Sequence, residues 1–231
     1  MLKWGKTLMK KMFIIIIVLA MILIGMIIYK NTAVGTKNNV NVHEIEKIEN
    51  YISKIYMWKE ITNEALPTFE DVNHSDDLWV WEVVKKNLES YVVSDEEIQT
   101  IATEIFGKEF NKQFPKEGNK SFIYDETSEK YLATETVLDE KEDTFLLNNI
   151  EKTKEGYNIE IIEYLEDYAE ENKITIRNLQ EEEIGQVGIN DSETNMQEIV
   201  KNNRNRFSKK KIYLKKENDN LKVQKVEKIQ E

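Results

Sequence analysis

The chain has no cysteine, only two histidines and two prolines, and eight glycines in 231 residues. Without cysteine there is no disulfide framework, no thiolate metal site, no cysteine nucleophile and no lipid-modified cysteine. The two histidines, His43 and His74, are far apart, and neither has a second ligand at the spacing of a zinc site. A basic excess is missing as well: 32 lysines and arginines stand against 43 acidic residues, a net charge of −11. That balance disfavours nucleic acid, whose binding needs a basic footprint. At roughly 150 residues per domain, the length allows one ordinary domain with a tail, or two small ones. No internal repeat at a fixed period is present.

Charge is also absent from one stretch of eighteen residues, Met12 to Tyr29, built almost wholly of Ile, Leu, Val and Met. As a helix it reaches about 27 Å, close to the hydrocarbon thickness of a bilayer. Lys3, Lys6, Lys10 and Lys11 precede it with no acid among them. The positive-inside rule then keeps the N-terminus cytoplasmic and sends the rest outward. Trp4 and Tyr29 stand near the two ends, where amphipathic rings suit the interface. Residues 1–30 thus read as a cytoplasmic tip and transmembrane signal anchor. The alternative is secretion after cleavage near Gly35, because Ala33-Val34-Gly35 has small residues at signal-peptidase spacing. The apolar run is long for a signal peptide, whose core is about 7–15 residues.

Residues 31–42 are polar and lack apolar periodicity, the pattern of a flexible tether. An extracytoplasmic domain over 43–231 follows. Ile45, Ile48, Ile52, Ile55 and Trp58 make one stripe on a helix of about 43–64, with Pro67 beyond its end. Ser75, Asp76 and Asp77 supply a cap for a second helix, whose inward face reads Trp81, Val84, Leu88 and Tyr91. Ser94 and Glu97 form a capping box for a third, with Ile98, Ile101, Ala102, Ile105 and Phe106 along it and Gly107 closing it. After Pro115 the period becomes strand-like: a hairpin over Phe122–Thr134, a longer one over Thr144–Tyr168, and a strand over Lys173–Leu179. A polar stretch with Gly185 and Gly188, a helix over Ser192–Arg206 and a last hairpin turning at Asn218-Asp219-Asn220 complete the chain.

Helices first and antiparallel strands afterwards predict an α+β fold: a transmembrane helix, then about three helices packed on a curved antiparallel sheet of six to seven strands. This element order resembles membrane-anchored proteins of low-GC Gram-positive bacteria with a nuclear transport factor 2-like or cystatin-like outer domain. The resemblance implies helices lying across a cone-shaped sheet, and it covers roughly residues 43–230. A helix inserted before the last hairpin departs from the simplest form of that fold.

No catalytic constellation stands out. His74-Ser75-Asp76 has the letters of a triad, but triads assemble across space, and the local reading is a helix cap. Ser208 and Lys211 match S-x-x-K without a companion motif. The acidic run Asp139–Asp143 lacks the alternation and central glycine of a calcium loop. Glu160, Glu163, Glu166 and Asp167 offer carboxylate pairs of the kind a glycosidase uses, among too many acids to single one out. No cofactor or metal is expected.

Two features remain. Trp79 and Trp81 are two apart on a helix, so if one faces the core the other meets a second layer or forms a pocket or aromatic contact. Lys201, Arg204, Arg206, Lys209, Lys210, Lys211, Lys215 and Lys216 place eight positive charges in sixteen residues. They are candidates for contact with anionic lipid or wall polymer, against the plainer reading of a solvated, internally compensated surface. Residues 1–30 hold five lysines and no acid, so the remainder carries 27 basic and 43 acidic side chains.

The expectation from the sequence is a single-pass membrane protein presenting a non-catalytic binding or assembly domain outside the membrane. Its partners would be the lipid bilayer through residues 12–29 and an envelope protein, anionic lipid or wall polymer. A cell-envelope hydrolase using paired carboxylates and a ligand-binding sensor are the alternatives.

Overall fold

The computed structural model describes residues 35–37, 40–135, 141–190 and 193–230. The expected membrane span, 12–29, lies outside the described residues. Among those described, no helix is long and apolar enough to cross a membrane. The fold class is α+β, with five α-helices and two sheets among the described residues.

Part of the expected tether is strand: β1 (Gly35–Lys37) pairs in parallel with β5 (Lys141–Lys152). Helix α1 (Val42–Ile55) starts on a capping box between Asn41 and Glu44 and buries Ile45, Ile48, Tyr51, Ile52 and Ile55. It stops nine residues short of the 43–64 pattern. Tyr56 and Met57 are consecutive and both buried, which suits extended backbone rather than another helical turn. The Met57 N–H donates to the Ala65 carbonyl, and a short helix α2 (Lys59–Thr62) follows.

Helix α3 (Asp77–Lys86) is capped by Asp76, whose carboxylate accepts from the Trp79 N–H at 2.8 Å. Every residue from Trp79 to Val84 is buried, because α3 has neighbours on more than one side. Tyr91, expected on the inward face, is 77% exposed: the helix ends at Lys86, so its periodicity does not reach that far. Helix α4 (Asp95–Phe106) carries the Ser94–Glu97 capping box and ends at Gly107, as the spacing predicts.

The strands form two sheets, not the single meander expected. β2 (Val92–Val93), β3 (Phe122–Asp125) and β4 (Lys130–Ala133) make a small sheet in the order β2-β4-β3. The main sheet is branched. β6 (Gly156–Asp167) pairs with β5 along its length. On its other side it pairs first with β9 (Ser208–Glu217), then over Leu165–Asp167 with β7 (Lys173–Arg177). β10 (Asn220–Lys228) extends the β9 arm and β8 (Glu183–Gly188) the β7 arm. At about 3.3 Å per residue, β6 is twice the usual strand length and has room for two partners end to end.

At β8 the sequence pattern predicts only a polar stretch. Its Gly185 is required by packing, since a Cβ there would stand 2.9 Å from Ile199 Cγ2 of α5 (Glu193–Asn202). That helix covers the face of the sheet opposite α1–α4, so helices pack on both faces. Strand alternation separates the two cores. Leu147, Ile150, Ile159, Ile161, Ile212 and Leu214 meet the larger helical layer, whereas Leu146, Ile162, Tyr164 and Ile176 meet Val200 and Phe207.

Candidate functional site

The residues that resembled a triad are each engaged locally. Asp76 caps α3, the Ser75 hydroxyl donates to the Val72 carbonyl at 2.6 Å, and the His74 side chain is 84% exposed beside Asp71. Ser208 and Lys211 are three apart on β9, so they stand on opposite faces. Of the acidic run, residues 139–140 lie outside the described residues and Asp143 is buried on β5.

Trp79 and Trp81 are core residues. The Trp79 ring lies 5.6 Å from both Phe69 and Phe106, and its indole N–H donates to the Ile55 carbonyl at 3.1 Å. Trp81 meets Phe110 and Phe114 edge-on. Neither lines a recess, so the space between helices and sheet is filled with aromatic side chains.

The basic stretch is dispersed by strand alternation. Lys210 is not a surface residue: it is buried with Ile212 and Leu214, while Lys211 and Lys215 are less buried on the other face. Its ammonium lies 3.3 Å from Glu163 and 3.4 Å from Glu64, and it donates to the Leu66 carbonyl. Lys215 pairs with Glu109 at 3.4 Å and Glu217 at 3.7 Å, and Lys216 with Asp219 at 3.5 Å. Lys211 stands opposite Glu160 on one neighbour and Glu227 on the other. Arg206 donates to the Glu183 carbonyl, Lys201 and Lys209 also have partners, and Arg204 is exposed. Most of these charges are therefore spent within the domain.

Two arrangements were not visible in the sequence. The first is a buried acid cluster. Asp143 and Glu163 lie on the same face of β5 and β6, offset by one pair, with Asp143 opposite Leu165 and Phe145 opposite Glu163. Asp143 accepts from the Lys59 N–H at 2.9 Å, and the Tyr56 hydroxyl approaches Glu163 at 3.4 Å and the Thr144 carbonyl at 3.1 Å. Burial pushes Asp143 up to about 6, opposed by the hydrogen bond and charge of Lys59. Burial also raises Glu163, opposed by the Lys210 ammonium. Both carboxylates are more than nine-tenths buried, so the pair has no open path for a bulky substrate.

The second is a groove of about 870 Å³ where α1, the end of α4 and the β9–β10 turn meet. Its floor is tied together by Tyr51, whose hydroxyl accepts from the Val223 N–H at 2.8 Å and donates to the Ile105 carbonyl at 3.1 Å. Lys222 donates to the neighbouring carbonyl, that of Glu104, so both side chains satisfy acceptors left over at the end of α4. Gly107 has φ +104° and leaves room for this: a Cβ there would press to 3.3 Å on Lys222 Cγ. Burial lowers the Lys222 ammonium, with Lys54 acting in the same direction and Glu217 and Glu104 opposing. These residues come from four places in the chain and form no linear motif.

No family model matches the chain, and no curated protein or solved structure does. Among the described residues, no group of three or more His, Cys, Asp and Glu side chains is placed to hold a metal ion.

Proposed function

We propose that the chain is a single-pass membrane protein whose residues 12–29 cross the bilayer and whose α+β domain works outside it as a non-catalytic binding or assembly module. The observation that carries the topology is the uncharged eighteen-residue run led by four lysines and followed by an acidic body. The binding role is supported by the packing. The aromatic side chains fill the interior, which leaves recognition to the surface. Val92, Leu132 and Ile123 stand side by side across the small sheet, all exposed, with Tyr91 next to them. Contiguous exposed apolar residues mark contact surfaces more often than they occur idly. The likeness to nuclear transport factor 2-like and cystatin-like domains belongs to the same reading. It rests on α1, α3 and α4 lying on one face of an antiparallel sheet, with the small sheet and α5 as additions.

A reporter that is active only outside the cytoplasm, fused after Glu231, tests the topology. Activity in the membrane fraction is expected; an inactive fusion overturns the orientation, and activity only in the medium replaces the anchor with a cleaved signal peptide. For the binding role, a photo-crosslinking residue at Ile123 in cells is expected to capture a discrete protein partner. A variant of Val92 and Leu132 to serine, with the crosslinking residue kept at position 123, should lose that adduct while still folding. Capture unchanged by these substitutions removes the small sheet from the reading.

A further inference from the structure

The groove gathers lysines from separate elements of the fold. Among the described residues, Lys54, Lys108 and Lys222 have no carboxylate within 4.0 Å. Lys222 is only 6% exposed, and of its three N–H donors one is taken, by the Glu104 carbonyl. Lys54 and Lys222 belong to the same groove and repel one another there. Lys222 feels Glu217 and Glu104 as well as Lys54, but neither carboxylate lies within 4.0 Å of its ammonium, so no protein anion among the described residues fills its two remaining donors.

We propose that this groove is an anion-binding site, in which a carboxylate or phosphate group of a small polar ligand sits between the ammonium groups of Lys54 and Lys222. The volume suits a small molecule. Glu46, Glu104 and Glu217 line the same recess and repel a polyanion. The site therefore selects a ligand with one compact anionic group, whose remaining polar atoms meet the amide of Asn50 and the amide oxygen of Asn87, the Asn87 amide N–H groups being taken by the Lys54 and Val83 carbonyls. Lys222 is positioned for this by Gly107 and by the end of α4, and Lys54 by the last turn of α1. The inference stands apart from the membrane topology and from the small sheet.

The test is calorimetric titration of the full chain, in neutral detergent, with sodium phosphate and sodium acetate at constant ionic strength. Saturable binding of at least one probe is expected, with a Kd of roughly 1 mM for so small a ligand. K54M should weaken it roughly tenfold while leaving thermal unfolding unchanged, since Lys54 is exposed and makes no ion pair. K222M should weaken it as well, and K211M should leave it intact. Glycerol phosphate in solution and phosphatidylglycerol vesicles then separate a free ligand from a lipid headgroup. Absence of saturable binding by either probe up to about 50 mM overturns the proposal. Binding that survives K54M undiminished does so too.

Discussion

Residues 201–216 and the groove gather positive charge in opposite ways. The first is conspicuous in the sequence, eight cations in sixteen residues, of which Lys210, Lys215 and Lys216 are paired with Glu64, Glu109, Glu163, Glu217 and Asp219, and Arg206 with a carbonyl. The second collects Lys47 and Lys54 from α1, Lys222 from β10 and Lys108 after Gly107, and leaves Lys54, Lys108 and Lys222 without a carboxylate partner among the described residues. Density of charge along the chain is thus a poor guide to charge available at a surface. Strand alternation divides a run between two faces, and partners arrive from anywhere in the fold.

The comparison breaks most visibly at Lys210. Lys210→Ala strands the Glu163 carboxylate without its ammonium, and the expected loss is about 3–5 kcal/mol in urea unfolding at neutral pH. The loss should shrink in acid, because the raised Glu163 carboxyl then takes up a proton and its burial ceases to be costly. An equal loss at pH 4 and pH 7.5 would show that the side chain stabilises by packing alone.

Asp143 gives the next effect, of opposite sign. Its folded-state value, about 6, lies above the ordinary aspartate range, so the stability it contributes is full below that range and is lost as pH rises through 6. Asp143→Asn should therefore stabilise the protein at pH 7.5 by about 2 kcal/mol and change it little at pH 4. A flat difference between the two pH values would sink this account. In the groove, Lys222→Met removes a donor from the end of α4 and should cost about 1 kcal/mol. Lys54→Met, by contrast, should stay within about 0.5 kcal/mol of the parent protein. If Lys54→Met destabilises as much as Lys222→Met, the groove lysines are structural in the same sense as Lys210, and the contrast between the two regions disappears.

Elements carried by local grammar were legible in advance. The capping box at Ser94 and Glu97, the stop at Gly107, the two long hairpins and the stripe of α1 depend on residues within a few positions of one another. What failed depends on distant neighbours. The break at Tyr56–Trp58 follows from burying two adjacent side chains, one of them reaching Thr144. β8 has little apolar alternation and is a strand because β7 pairs with it and Ile199 presses on Gly185. Tyr91 looked like one more helical position because periodicity does not record where a helix ends. Of the candidate site, Glu163 was visible as one acid among many and Asp143 as the end of an acidic run, whereas Tyr56, Tyr51, Lys54 and Lys222 carried no signal.

By itself the sequence determined the α+β class, the order of most elements and the separation of an apolar, lysine-led segment from an acidic body. Periodicity, capping and net charge are properties of neighbouring residues and of sums, which chain order preserves. Only the tertiary structure decided that the strands form two sheets, that helices cover both faces of the larger one, and which lysines are spent. Those outcomes depend on which side chains far apart in the chain come within a few ångströms, and burial then makes a carboxylate costly or a lysine wanting in partners.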